Sequence, residues 1–136
     1  MKWMTVGEKL TQALDAWPDV RLAVLFGSTA RGTARRASDL DIGVSLPDTA
    51  DLMALRVALQ RASGQEVDVI RLEEAPPLLR FQIARDGRVI VERVAHTWAD
   101  FRARAMIDWW DWAPTVRAMH RTMAERLREE AGRGSA

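Results

Sequence analysis

Apolar residues recur every three or four positions from Thr5 to Trp17 (Val6, Leu10, Leu14, Trp17), and Pro18 closes the run, which predicts an amphipathic helix. Residues 20–26 are rich in branched and aromatic side chains and stop at Gly27, which predicts a strand. Gly27 to Ser38 is small, polar and basic, the composition of a turn with room for a short helix. Beyond it Leu40, Ile42 and Val44 alternate with Asp39, Asp41, Gly43 and Ser45, a half-buried strand that carries its carboxylates on one face. Asp48 to Ala62 places Leu52, Leu55 and Leu59 at helical spacing, with Asp48 or Thr49 as its cap. Glu66 to Leu72 is a third strand, Pro76 opens a short helix through Leu79 and Ile83 that ends at Asp86-Gly87, and Arg88 to Val94 is a fourth strand.

From His96 to Glu130 the pattern is helical, interrupted only by Pro114. A helix of that length would reach about 50 Å, more than the width of so small a domain, so part of it is expected to project or fold back at the proline. The expected architecture is therefore α/β: a small mixed sheet backed by helices over residues 1–95, a C-terminal helical arm over 96–130 that packs on the domain and on a partner, and a disordered tail at 131–136.

Composition narrows the function classes. The 136 residues fit one domain, and 48% hydrophobic with 29% charged residues is a globular balance. With no cysteine, disulfides and thiolate metal sites are excluded, which fits a reducing cytoplasm. No leader-like segment and no apolar run of about 20 residues is readable, so a membrane role is not expected. A net charge of +1, from 20 basic and 19 acidic residues, argues against a general nucleic-acid binder. His96 and His120, the only histidines, have neither a cysteine nor each other at ligand spacing and read as surface residues.

One segment carries chemistry. Nucleotidyl transfer needs a nucleophilic oxygen, an α-phosphate and a pyrophosphate leaving group held in line, with the phosphate charge neutralised by divalent cations that prefer carboxylate oxygens. Asp39 and Asp41, at i and i+2 of a strand, share a face, while Leu40 and Ile42 turn into the core. Asp68 on the next strand is the candidate third carboxylate, to hold a second metal or activate the acceptor hydroxyl, with Glu66 in reserve. Gly27-Ser28 ends the first strand where backbone N–H groups and a hydroxyl can approach a triphosphate, and Arg31, Arg35 and Arg36 follow where positive charge could meet it, Arg31 foremost. An Asp-x-Asp or a Gly-Ser alone is uninformative; an apolar strand, Gly-Ser, a ten-residue gap and then Asp-x-Asp in an alternating strand is not.

At these residues the chain resembles the minimal branch of the nucleotidyltransferase superfamily related to DNA polymerase β. Gly27, Ser28, Asp39, Asp41 and Asp68 match that pattern in order. The strings Gly27-Ser28-Thr29-Ala30-Arg31-Gly32 and Ser38-Asp39-Leu40-Asp41, with Asp68-Val69-Ile70, Pro77-Leu78-Leu79-Arg80 and Phe101-Arg102-Ala103-Arg104, are similar to the MntA-type antitoxins of HEPN/MNT toxin–antitoxin pairs. The resemblance implies a polymerase β-like fold, ATP as substrate, magnesium (two ions) at Asp39, Asp41 and Asp68, and transfer of AMP to a tyrosine of a HEPN-domain ribonuclease toxin. The alternatives are a nucleotidyltransferase acting on a small molecule or an RNA end, and a non-catalytic antitoxin that neutralises by binding. Relatives that modify small molecules or tail RNA usually carry an added acceptor domain, so a chain this short favours an acceptor delivered by a protein partner.

The arm has a feature of its own. Trp98, Phe101, Ala105, Trp109, Trp112, Val116, Met119, Met123 and Leu127 advance by three or four throughout, a single apolar seam whose plainest role is packing on the domain. Met106, Trp110 and Ala113 add a second stripe, which calls for a partner or a second copy of the chain. The charged residues from Glu125 to Arg133 read as a solvated helix end.

Overall fold

The computed structural model describes residues 4–27 and 39–134; Ser28, Arg31, Arg35 and Arg36 lie outside the described residues. Helix α1 (Val6–Leu14) starts at Thr5, whose hydroxyl accepts the Glu8 N–H. It ends at Leu14 rather than Trp17, because Asp15 to Trp17 tighten into a turn. Arg93 holds that end, donating to the carbonyls of Leu14, Trp17 and Val20 at 2.7 Å each.

Strands β1 (Leu22–Phe26), β2 (Leu40–Ser45), β3 (Val67–Arg71) and β4 (Arg88–Glu92) form one sheet in the order β3-β2-β1-β4. β1 runs antiparallel to β2 and β4, and β2 parallel to β3. The parallel pair needs a crossover, and helix α2 (Leu52–Ser63) supplies it. Asp51, not Asp48 or Thr49, caps α2, its carboxylate accepting from Ala54 N–H at 3.0 Å. The earlier residues are taken by a turn in which Ala50 N–H bonds to the Pro47 carbonyl.

A 3-10 turn (Leu72–Glu74) leads from β3 to helix α3 (Pro77–Asp86), and helix α4 (Thr97–Gly134) follows β4. The two faces of the sheet carry separate cores. Leu40, Ile42 and Val44 of β2 pack with Leu10, Leu14, Leu55 and Leu59 of α1 and α2. Leu22, Val24, Leu72 and Ile83 form the other core, with Phe26, Ile70, Leu79, Trp98 and Phe101 packed against it.

α4 departs from expectation in two ways. It runs unbroken through Pro114, although that residue cannot donate to the Trp110 carbonyl, a defect costing about 3 kcal/mol in isolation. It also includes residues 131–134, which the sequence assigned to a disordered tail. Its 38 residues span about 57 Å. The first half lies on the domain: Trp98 and Phe101 pack against the second core, Trp109 stacks on Phe81, and Arg80 donates to Asp108 at 2.8 Å. The seam does not continue inward beyond this, for Trp112, Met119, Met123 and Leu127 are exposed. Of the second stripe, Ala113 is buried and Trp110 is 70% exposed. Among the described residues no helix is long and apolar enough to cross a membrane.

Candidate active site

Strand register places the carboxylates. Asp41 sits directly across from Phe26 of β1 on one side and from Asp68 of β3 on the other, so Phe26, Asp41 and Asp68 form a row across one face of the sheet. Asp39 precedes β2 by one residue and shares that face. The opposite face of β2 is wholly apolar, which fixes the register: a slip of one residue would drive Asp41 into the core and expose Ile42. Glu66 is turned toward Arg56 of α2, at 3.9 Å, so the geometry sets Asp68 rather than Glu66 beside Asp41.

The electrostatics of the row are unfavourable as it stands. Burial pushes the Asp41 carboxyl above its ordinary value, and the charges of Asp68 and then Asp39 push it further the same way. Among the described residues, none of the three carboxylates is paired with a lysine or arginine. The described residues also contain no three acidic or histidine side chains already converged to metal-ligand spacing. These observations agree: the carboxylates are near enough to repel one another and are not drawn together. A divalent cation is the group that fits. The donors are hard oxygens with no thiolate or imidazole among them, and the uncompensated negative charge is what such an ion relieves.

Gly27 bounds the site and is the one strand-end residue whose backbone demands glycine. Its φ is +76°, and a Cβ there would stand 2.5 Å from Asp41 Oδ2. Gly27 therefore lies directly against the carboxylate, with no room for a side chain between. Sequence reasoning assigned Gly27 to phosphate approach and missed this contact with Asp41, which only the pairing of β1 with β2 reveals. Phe26 lies on the same face as Asp41, and its ring packs against the core of Leu22, Val24, Leu72 and Ile83 that borders the site. The predicted contributions of Ser28 and Arg31 to triphosphate binding fall outside the described residues.

Comparison with known proteins bears on this geometry. The family described as "Polymerase beta, Nucleotidyltransferase" matches residues 8–96, which include the four strands of the sheet and every carboxylate of the row. Protein adenylyltransferase MntA of Shewanella oneidensis is 38% identical over 77 residues, covering 54% of this chain and 55% of that protein. The match thus spans about half the length of that curated relative. A crystal structure of a toxin–antitoxin pair with AMP-PNP contains a chain that superposes with a TM-score of 0.69 at 25% identity, over 90% of this chain and 98% of that one. A chain in the complex of tri-AMPylated Shewanella oneidensis HEPN toxin with MNT antitoxin shares the fold, with a TM-score of 0.64 at 22% identity, covering 90% of this chain and 96% of that one.

Proposed function

Because this chain belongs to the polymerase β nucleotidyltransferase family, we propose that it transfers AMP from ATP to a tyrosine hydroxyl of a HEPN-domain ribonuclease toxin and acts as that toxin's antitoxin. The observation that carries the reading is the row of Asp41 and Asp68 with Asp39 beside it, without a paired cation among the described residues, at the end of the sheet where Gly27 lies against Asp41. The 38% identity to a protein adenylyltransferase supports AMP as the group and a protein as the acceptor.

Magnesium held by Asp39, Asp41 and Asp68 would neutralise the triphosphate and lower the barrier to pyrophosphate departure. The chain's own residues do the rest. Asp41, fixed by strand register, would hold the cation beside the phosphates, and Gly27 leaves them close access to backbone N–H groups. The acceptor oxygen bonds to the α-phosphorus as the bond from that phosphorus to the pyrophosphate oxygen breaks. Asp68, exposed at the edge of the row, takes the hydroxyl proton, and pyrophosphate leaves with the electron pair. Ser28 and Arg31 are assigned to triphosphate binding, the reaction to the cytoplasm, and partner contact to the arm.

The test is incubation of the chain with α-labelled ATP, magnesium and a HEPN protein encoded beside it. Label should appear on a tyrosine of the HEPN protein and vanish with Asp39→Ala or Asp41→Ala. Label on RNA or an aminoglycoside alone, or neutralisation that survives both substitutions with no label transferred, would overturn the reading.

A further inference from the structure

The projecting half of α4 carries two parallel tracks. One is apolar: Val116, Met119, Met123 and Leu127, at spacings of three and four, with Met119 60%, Met123 57% and Leu127 57% exposed. The other is basic. Arg117, Arg121 and Arg128 follow Trp110 at intervals of seven, four and seven, so they line one side of the helix roughly a third of a turn from the apolar track. All three arginines are exposed, and among the described residues none is in a salt bridge. Trp110, 70% exposed, stands at the root of the basic track. The far flank is mixed in sign, with Asp111 and Glu129 among Arg126 and Arg133. Glu125, four residues after Arg121, lies on the outer side of the basic track, so the strip from that track to the apolar ridge carries positive charge and no acidic residue.

We propose that this half of α4 docks an acidic amphipathic helix of a partner protein. The inference rests on the reading above for the existence of a protein partner and adds where that partner binds and with what chemistry. A facing helix can lay its own apolar stripe along Val116, Met119, Met123 and Leu127, the side-by-side packing of a two-helix seam. Glutamates or aspartates flanking that stripe then meet Arg117, Arg121 and Arg128, and Trp110 anchors the end nearest the domain. Nucleic acid fits the surface less well: phosphates would satisfy the three arginines but leave the methionines and Leu127 in water.

The full-length protein is titrated with a synthetic helix of about four heptads bearing Leu at the a and d positions and Glu at the flanking ones. The same titration is run with its Lys counterpart and with single-stranded RNA of about 20 nucleotides. The Glu helix should bind at least about ten-fold more tightly than the Lys helix, and more weakly as salt screens the charges. The combined Arg117→Glu, Arg121→Glu and Arg128→Glu substitutions should reverse that preference, and Met119→Asp with Met123→Asp should abolish binding. Circular dichroism checks that every variant keeps its helix. Equal affinity for the two helices, unchanged binding after charge reversal, or binding of RNA in place of the Glu helix would overturn the proposal. Asp41→Asn should bind the Glu helix as the wild type does, which separates the two readings. Transfer of AMP to a HEPN protein without Glu-helix binding sinks the docking proposal alone. Glu-helix binding with no AMP transfer to any HEPN protein sinks the functional reading alone.

Discussion

β2 and β3 lie side by side along their whole length, yet their two ends are built on opposite principles. At the Ser45 end Glu73 and Arg71 have work within the fold. Ser45 donates a short hydrogen bond to Glu73, and Arg71 donates to the carbonyls of Leu46, Pro47 and Ala50 at 3.3, 3.1 and 3.0 Å, closing the turn into α2. At the Asp41 end three carboxylates share a face with no cation beside them among the described residues. The same pair of strands thus spends its polar residues on stability at one end and withholds that stabilisation at the other. The difference fits the proposal that the Asp41 end is shaped to bind a cation, since a fold selected only for stability would pair or remove charges left as these are among the described residues.

The largest effects should come from the unpaired end. Asp41→Ala should lower the rate of AMP transfer by roughly a thousand-fold, the several kcal/mol that a metal-holding carboxylate supplies, while the circular dichroism spectrum stays unchanged. Gly27→Ala comes next. Its methyl would collide with Asp41 Oδ2 and its φ of +76° would be strained, so transfer should fall by about ten- to a hundred-fold and stability by about 1–2 kcal/mol, read by single-turnover kinetics and denaturant unfolding.

The paired end should answer with stability alone. Arg71→Met leaves three turn carbonyls without their donor and should cost about 2–3 kcal/mol, with transfer per folded molecule intact. An equal loss of transfer there would erase the contrast between the two ends. The smallest effect runs the other way. The folded pKa of Asp41 is raised above its ordinary 3.8, so the carboxyl's favourable contribution is present below that value and is lost as pH rises through the raised one. Above that window Asp41→Asn should therefore be the more stable protein in chelator, by about a degree or two in Tm once solvent screening is allowed for. Adding magnesium should raise the wild-type Tm and leave the variant's nearly unmoved; a destabilised Asp41→Asn would show the carboxylates to be structural.

Much of this was legible in the chain. Alternation in Asp39 to Ser45 gave the strand, its buried face and the shared face of the aspartates, because a period of two leaves no other arrangement with Ile42 and Val44 inside. The pairing of Asp41 with Asp68 was inferable as chemistry but not as geometry, since register between strands separated by α2 depends on packing that no local pattern records. The clasp of Gly27 on Asp41 was hidden for the same reason. At the arm, periodicity described one continuous seam, but it cannot tell which turns meet the domain. α3 is short enough that contact stops near Ala113, and the rest of the stripe is left in water. Of the basic track only Arg128 fell within the charged helix end, and Arg117 and Arg121 drew no reading; the spacing of four and seven was the signal that sets them on one side.

The most direct test of the account is mass spectrometry of a HEPN protein after incubation with this chain, ATP and magnesium, run in parallel with Asp41→Ala. The account predicts an added AMP on a tyrosine with the wild type and none with the variant. An unmodified HEPN protein whose toxicity is nonetheless silenced equally by both chains would contradict it.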